Sequence, residues 1–252
     1  MIQIKNLSKQ YGKLAAVDNL TLEVAAGEIF GFLGPNGAGK TTTIRCMMGI
    51  LKATSGHVLL NGHNVVSDAQ KAKAISGFIP DRPFIYEKLS GSEFLQFVGK
   101  LHRVDPARLS RRSAELLDHL ELTSWKDELV ESYSHGMKQR LVVCGALIHE
   151  PTILVIDEPM VGMDPKGART LKDLFCALAK NGTAVFLSTH SISVAEEICH
   201  RIGIIRKGRL ISCGTMSEIH AQTARGNGSL ESAFLELTRE QELSVPAAQT
   251  PI

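Results

Sequence analysis

A glycine-rich segment near the N-terminus constrains the fold of this chain more than any other part of the sequence. Residues 34–42 read GPNGAGKTT and fit the phosphate-binding pattern G-x-x-x-x-G-K-[ST]. Because glycines keep the inside of the loop clear of side chains, backbone N–H groups can point at a phosphate. Lys40 supplies a cation for the β- and γ-phosphates, and the Thr41 hydroxyl suits Mg²⁺. The predicted nucleotide-binding residues of the loop are Gly34, Pro35, Asn36, Gly37, Ala38, Gly39, Lys40, Thr41 and Thr42.

The residues on either side of the loop predict the structure that such a loop requires. Residues 28–33 (EIFGFL) form a short apolar run that is typical of a buried strand. Residues 41–51 contain no proline and place apolar side chains at helical spacing. In a strand–loop–helix unit the positive end of the helix dipole faces the phosphates, so the sequence predicts an α/β core with a P-loop.

Length, charge and cysteine content narrow the class of protein. The 252 residues suit one large α/β domain or a core with a small insertion, and 44% apolar residues suffice to bury a core. A net charge of +2 gives no reason to expect nucleic acid as a partner. The five cysteines include no C-x-x-C pair, which indicates reduced thiols in a cytosolic protein. No apolar run approaches the roughly 20 residues of a membrane span, so a function at a membrane would need a membrane-spanning partner chain.

Two further segments extend the α/β core. Apolar and polar residues alternate at 2–7 and 19–24, which predicts two strands of an antiparallel sheet, with Asn6 on the same face as Ile2. Residues 58–62 continue this sheet through an Asn-Gly turn.

Residues 84–150 predict an inserted α-helical subdomain. Its predicted helices begin at a capping box (SGSE, 90–93), at Asp-Pro (105–106) and at about residue 137. Basic residues give this block either a solvated helix face or a docking surface: Lys100, His102, Arg103, Arg108, Arg111 and Arg112.

The second half of the chain returns to the α/β pattern and carries the candidate catalytic groups. Asp157 and Glu158 follow the apolar strand predicted at 153–156, where α/β folds place ligand chemistry. Asp157 would hold Mg²⁺, directly or through water, and Glu158 would orient and deprotonate the attacking water. His190, after the next strand, either contacts the γ-phosphate, holds the water in line, or is structural. A last helix is predicted at 230–240, followed by a disordered tail.

Several motifs in fixed order resemble the ATP-binding cassette (ABC) ATPases over about residues 1–220. The motifs that carry this resemblance are Tyr11, residues 34–42, YSHGM at 133–137, residues 153–158, Met163-Asp164 and His190. The resemblance implies a head-to-tail dimer, formed with a second copy or a paralogous subunit. Each ATP would lie between the P-loop of one subunit and the signature segment 133–137 of the other.

The resemblance also implies roles for individual residues. Tyr11 would stack on adenine, Ser134 and Gly136 would contact the γ-phosphate bound by the partner, and Asp164 would cross the interface. Two positions depart from the family pattern. His135 stands where the family has glycine, and Asp81 stands where the family has a glutamine that senses the nucleotide. A carboxylate at 81 can still bind the nucleotide's Mg²⁺, although it adds negative charge beside the triphosphate.

Two functions are consistent with these features. The first is the ATP-hydrolysing subunit of a membrane transporter, held at the inner face of the cell membrane by a separately encoded polytopic permease. Residues 229–238 resemble an ending common in export-type subunits, and a groove near residues 82–100 would receive a short cytoplasmic helix of the permease. Four apolar residues either line that groove or belong to the subdomain core: Phe84, Ile85, Tyr86 and Leu89. The second function is a soluble ABC ATPase, for example one of iron–sulfur cluster assembly.

The predicted fold is therefore an α/β P-loop NTPase core with an antiparallel β subdomain and an inserted α-helical subdomain. Residues 1–228 are predicted to form the ABC ATPase domain, with the helical insertion at about 84–150. Residues 229–252 are predicted to form the C-terminal helix and tail.

Overall fold

The computed structural model describes residues 1–221 except Val161 and the side chain of His220. The predicted helix at 230–240 and the predicted tail lie outside the described residues. The strands are β1 (Ile2–Tyr11), β2 (Leu14–Val24), β3 (Ile29–Leu33), β4 (Ser55–Leu60), β5 (His63–Asn64), β6 (Ser76–Ile79), β7 (Ile153–Asp157), β8 (Ala184–Thr189), β9 (Arg201–Arg206) and β10 (Arg209–Gly214). The helices are α1 (Lys40–Met47), α2 (Ala69–Ala74), α3 (Gly91–Leu101), α4 (Pro106–His119), α5 (His135–Leu147), α6 (Pro165–Lys180), α7 (Ile192–Ile198) and α8 (Met216–Ala221).

The central sheet has six strands in the order β10-β9-β3-β8-β7-β6. All neighbouring strands in it are parallel except β9 and β10, which form a hairpin. Every residue of β3 and β7 is buried, as expected for parallel strands covered on both faces. The carboxyl ends of β3, β7 and β8 therefore meet at one edge of the sheet, where the candidate site lies.

Alternate residues of the central strands point into two different cores. Leu154 and Ile156 of β7 pack with the helices, whereas Ile153 and Val155 pack toward the second sheet. Burying side chains of this size contributes about 1.5–3 kcal/mol each. The central sheet is thus fixed between the helical layer and the antiparallel layer.

The second sheet is antiparallel, in the order β2-β1-β4-β5, as the alternation predicted. One detail of the prediction was wrong: Asn6 is exposed and does not share the inner face with Ile2. Asn6 adopts φ 49, and the register of β1 against β2 shifts between Ile4 and Leu7. This bulge turns Leu7 into the core instead.

Helices α3, α4 and α5 form the insertion between strands β6 and β7. The capping box at the start of α3 is present: the Ser90 hydroxyl accepts from the Glu93 N–H, and the Glu93 carboxylate accepts from the Ser90 N–H. The Asp105 carboxylate caps α4 by accepting from two backbone N–H groups, with Pro106 at the first helical position. These local signals position both helices as predicted, and α5 begins at residue 135, two residues before the predicted start.

The predicted P-loop NTPase fold, with its antiparallel and helical additions, is confirmed. Within residues 1–221, apart from Val161, no helix is long and apolar enough to cross a membrane. All five cysteines carry free thiols.

Candidate functional site

The P-loop follows β3 and ends at the first turn of α1. Lys40 begins α1, and its ammonium group donates to the carbonyl oxygens of Gly34 (2.7 Å) and Pro35 (3.3 Å). The side chain is only 7% exposed, so the loop folds around its own cation. This geometry leaves the ammonium charge at the centre of the loop, where a phosphate anion would neutralise it.

Two glycines of the loop are required by close backbone approach. Gly39 adopts φ 110, and a Cβ atom there would lie 2.3 Å from the carbonyl oxygen of Ala16. A Cβ on Gly34 would lie 2.5 Å from the carbonyl oxygen of Ile205. Since both obstacles are backbone atoms, neither position can hold a side chain without moving the sheet.

Glu158 and His190 meet beside Lys40. The Glu158 carboxylate lies 3.4 Å from the Lys40 ammonium group through Oε1 and 2.9 Å from His190 Nδ1 through Oε2. Glu158 adopts φ 48, a left-handed conformation that turns the chain sharply after β7. Its backbone N–H donates to the carbonyl oxygen of Ser188 at 3.1 Å. The structure therefore brings the three predicted catalytic side chains, Lys40, Glu158 and His190, into one contact chain.

Asp157 lies behind this contact chain and is 1% exposed. The Ser188 hydroxyl donates to its Oδ1, and the Thr41 hydroxyl lies near this carboxylate. Burial raises the pKa of Asp157 above the ordinary 3.8, interactions with the Ser188 and Thr41 hydroxyls lower it, and the negative charges of Asp81 and Glu158 raise it. A buried carboxylate beside two other acids is an electrostatically unfavourable arrangement that a cation would relieve.

A cavity of about 600 Å³ opens over these groups. Tyr11, at the end of β1, lines the cavity with its ring 49% exposed, and the Lys9 ammonium group lies 5.1 Å from the ring centroid. Asp81 lines the same cavity from the loop after β6. Most of the predicted loop residues line it as well: Pro35, Asn36, Gly37, Gly39, Lys40, Thr41 and Thr42.

Two predicted loop residues, Gly34 and Ala38, lie behind the loop and away from the cavity. Gly34 contributes its carbonyl oxygen to Lys40, and buried Ala38 accepts a hydrogen bond from the Gly208 N–H at 2.9 Å. Neither is among the residues that line the cavity. Both support the loop from behind.

The donor set suits Mg²⁺. Asp157 and Asp81 supply carboxylates, and Thr41 supplies a hydroxyl, all of them the hard oxygen ligands that this ion prefers. In the part of the chain that the structure describes, no group of three His, Cys, Asp or Glu side chains could hold a metal alone.

The signature segment lies outside the cavity that holds the P-loop. Ser134 is exposed and caps α5, because its hydroxyl accepts from the Met137 N–H at 3.3 Å. A Cβ atom built on Gly136 would meet no atom within 4 Å. Asp164 is also exposed and caps α6 by accepting from the Gly167 N–H. These three predicted residues therefore face open space in this chain.

The sequence did not indicate some residues that complete the site. Ser188 bonds to Asp157, and this contact follows from the pairing of Asp157 with Ser188 across strands β7 and β8. Lys207 and Gly208, in the turn between β9 and β10, line the nucleotide cavity. The approach of this turn to the P-loop depends on tertiary structure.

Comparisons with known proteins show the family to which the chain belongs. The family model described as ABC transporter matches residues 17–161. The linearmycin resistance ATP-binding protein LnrL of Bacillus subtilis (strain 168) is 36% identical over 219 residues, covering 87% of this chain and 70% of that protein. The Nod factor export ATP-binding protein I of Cupriavidus metallidurans is also 36% identical over 219 residues, covering 87% of this chain and 72% of that protein.

Solved structures give the same result. A structure titled as the ATP-binding subunit of an ABC transporter has a TM-score of 0.90 and 30% identity, covering 95% of this chain and 100% of that one. The post-hydrolysis dimer of the cassette MJ0796 with ADP and Pi has a TM-score of 0.79 and 23% identity, covering 86% of this chain and 99% of that one, which shows the shared fold.

A P-loop, a strand-end acid pair and a signature helix on this fold define an ATP-binding cassette. The chain belongs to the ABC transporter family. It is an ATP-binding and ATP-hydrolysing subunit of that family, as the sequence predicted, and the iron–sulfur alternative is not favoured.

Proposed function

We propose that this chain powers an exporter by binding Mg-ATP between two subunits and hydrolysing it at the Lys40–Glu158–His190 contact chain. The observation that carries the proposal is the position of Glu158, which contacts both Lys40 and His190 at the edge of the nucleotide cavity. The relatives named for antibiotic resistance and Nod factor export support the direction of transport.

Each residue of the contact chain has a separate role. Glu158 accepts a proton from the attacking water, as a general base within hydrogen-bonding reach. His190 holds the Glu158 carboxylate through Nδ1 and contacts the γ-phosphate region with the rest of its ring. Lys40 stabilises the negative charge on the β- and γ-phosphates, and its contact with Glu158 is replaced when ATP enters.

Mg²⁺ would be held by Thr41, Asp157 and Asp81, and when bound it supplies positive charge to the triphosphate. Ser188 keeps the Asp157 carboxylate oriented by its hydrogen bond. Tyr11 stacks on adenine at the other end of the cavity. The remaining loop residues bind phosphate through backbone N–H groups.

A second subunit completes each ATP site. Ser134 and Gly136 contact the γ-phosphate bound by the partner subunit, and Asp164 crosses the interface. The exposed positions of Ser134 and Asp164, and the open space over Gly136, support this role. The second subunit is another copy of this chain or a paralogue.

An apolar groove of about 520 Å³ between the insertion and the core is the proposed docking site for the permease. Phe84 is 96% exposed, Tyr86 is 59% exposed, and Tyr86 packs edge-on against Phe97, all three in the groove lining. Ile85 and Leu89 instead pack on the helical core. The four apolar residues predicted at this point therefore divide equally between groove and core.

The charge of the groove indicates what it binds. Among the described residues that line the groove, Lys73 is the one lysine, arginine or acidic residue. The lining histidines, His102 and His149, are stacked at 3.7 Å, and burial lowers the pKa of both, that of His149 to about 4. Both are therefore neutral at physiological pH. We propose that the occupant is a short cytoplasmic helix of a separately encoded membrane subunit. This helix has an apolar face and an acidic residue that pairs with Lys73. Its binding holds this chain at the inner face of the membrane.

The Glu158→Gln variant tests the catalytic proposal. It keeps the shape of the side chain but removes the base, so hydrolysis should slow by about 10²–10⁴-fold while Mg-ATP still binds. ATP should then hold two subunits together, which size-exclusion chromatography would detect as a dimer. Hydrolysis at the unmodified rate would show that Glu158 is not the base.

Groove variants test the docking proposal. Tyr86→Ala and Lys73→Glu should weaken co-purification with the membrane subunit of its transporter, and leave basal ATPase activity intact. Lys71→Glu is the matched control, because Lys71 is exposed on the same helix but does not line the groove. If Tyr86→Ala lowers thermal stability and basal activity together, Tyr86 belongs to the core and the docking site is wrong.

A further inference from the structure

His135 occupies a position of the signature segment where the sequence departs from the family, and its side chain contacts the loop after Glu158. A Cβ atom on Gly162 would lie 2.9 Å from Cδ2 and 3.2 Å from Nε2 of the His135 ring. Such distances are too short for a real side chain, so the ring rests directly on the Gly162 backbone. Gly162 also adopts φ 76, which glycine alone adopts at little cost.

The loop that His135 contacts connects two functional acids. It begins at Glu158, directly after β7, and ends at Asp164, which caps α6. His135 is itself the first residue of α5, between Ser134 and Gly136. The His135 ring therefore connects the signature turn, which is proposed to contact the partner's phosphate, with the loop that follows Glu158.

His135 also lines a second cavity of about 600 Å³ together with Glu158, His190 and Asp81. The residue that stands in place of the family's glycine therefore shares a cavity with the proposed catalytic groups, in addition to its contact with Gly162.

We propose that His135 is a positioning residue, which couples engagement of the partner's ATP at Ser134 and Gly136 to the placement of Glu158 and Asp164 in its own subunit. The inference rests on the proposed two-subunit function. When the signature turn closes on the partner's phosphate, the ring carries Gly162 with it, so the two ATP sites respond together. Removing the ring uncouples the sites and leaves each P-loop able to bind ATP.

The test compares His135→Ala with His135→Gln in the full chain. Coupling between sites typically amounts to about 5- to 150-fold in affinity, so His135→Ala should bring the Hill coefficient for ATP toward one. It should also lower kcat, because Glu158 is no longer held in place when the partner's ATP is engaged. In a Glu158→Gln background, His135→Ala should raise the ATP concentration needed for dimerisation. The affinity of the monomer for labelled ATP and the melting temperature should not change. His135→Gln should recover part of kcat, since its amide can also lie over Gly162.

Controls separate this inference from the proposed function. His119→Ala removes an exposed histidine at the end of α4 and should have no effect. Gly162→Ala introduces backbone strain and a collision with the His135 ring. Adding His135→Ala should relieve the collision, so the effects of the two substitutions on kcat should not be additive. Unchanged kcat in His135→Ala, with Glu158→Gln inactive, would overturn this inference alone. A loss of kcat that accompanies lower stability and weaker ATP binding would also overturn it, by showing that His135 is structural.

Discussion

The P-loop and the signature segment differ in how much of their environment the chain itself supplies. Lys40 is enclosed by the carbonyl oxygens of Gly34 and Pro35 and by the Glu158 carboxylate, and it is 7% exposed. At the signature segment, Ser134 is exposed and the position over Gly136 is open. Both regions use a helix N-terminus, which favours anions. The P-loop with its contacts is therefore an enclosed region, whereas the signature segment is an open face.

On the proposed two-subunit function, this difference predicts that a single chain binds ATP but hydrolyses it poorly. The enclosed region contains the proposed cation, base and metal ligands, so nucleotide affinity should depend on one subunit. The open face would gain its contacts only when a second nucleotide-loaded surface covers it. We therefore expect variants of the two regions to separate binding from turnover.

Lys40→Ala should have the largest effect, because it removes the cation at the centre of the enclosed region. Labelled ATP should bind more weakly, and hydrolysis should fall by about 10²–10³-fold or more. Fluorescence titration and a phosphate-release assay would measure the two effects.

Lys180→Ala, which removes an exposed lysine at the end of α6, is the control and should behave as the unmodified chain. Unchanged ATP affinity in Lys40→Ala would contradict the assignment of the P-loop.

Gly136→Leu should break the open face and spare the enclosed one. Because a Cβ at this position meets nothing within 4 Å, the variant should fold with an unchanged melting temperature and bind labelled ATP normally. Hydrolysis should fall by about 10²-fold, since the added side chain holds the partner's phosphate out of position.

Gly145→Leu, in the same helix, provides the opposite pattern. A Cβ on Gly145 would lie 3.0 Å from the Phe94 ring, so this variant should lose stability. If Gly136→Leu lowers ATP affinity or stability as well, the signature segment serves its own subunit and the comparison fails.

The sequence predicted the P-loop and the starts of two helices of the insertion because their signals are local. The P-loop pattern, the capping box at Ser90 and the cap at Asp105 each act within a few residues, and all three are present. Local signals were weaker at the ends of elements. Helix α1 ends at Met47 and not at Leu51, because Gly49 adopts φ 64 and leaves the helical conformation. Helix α2 was not predicted, since Ala72 is its one buried residue and no apolar period marks it.

Contacts across the sheet could not be predicted from local signals. The bond from Ser188 to Asp157 depends on the parallel register of β7 and β8. The packing of His135 on Gly162 depends on how the helical insertion lies against the core. The sequence therefore identified the acids and the loop, and the fold added the groups that hold them.

Asp81 should have a moderate effect, because it lines both cavities of the site but is exposed. If its carboxylate helps to hold Mg²⁺, Asp81→Ala should raise the Mg²⁺ concentration for half-maximal ATPase activity by on the order of 10-fold. Asp81→Gln should have a smaller effect, because an amide oxygen can still bind Mg²⁺. An Mg²⁺ titration of all three proteins measures the effect, and identical curves would assign Asp81 to a structural role in the loop after Pro80.

The smallest predicted effect concerns the pH dependence of Mg²⁺ binding, which tests whether the Asp157 carboxylate binds the ion. Burial first, and the charges of Asp81 and Glu158 after it, raise the pKa of Asp157 above the ordinary 3.8. Protons therefore compete with Mg²⁺ for this carboxylate at a higher pH than for an exposed aspartate. The Mg²⁺ concentration for half-maximal binding of labelled ATP should rise as the pH falls.

Asp81→Gln removes one negative neighbour, which lowers the pKa of Asp157, so in this variant the rise should begin at a lower pH. The shift should be small, because burial, the largest cause, is unchanged. The titration of the nucleotide itself is common to both proteins and cancels in the comparison. Asp127→Asn, which changes an exposed acid that lines neither site cavity, should follow the unmodified chain. If Asp81→Gln and the unmodified chain show the same pH dependence, the charge at residue 81 does not act on Asp157, and Asp81 does not belong to the enclosed region.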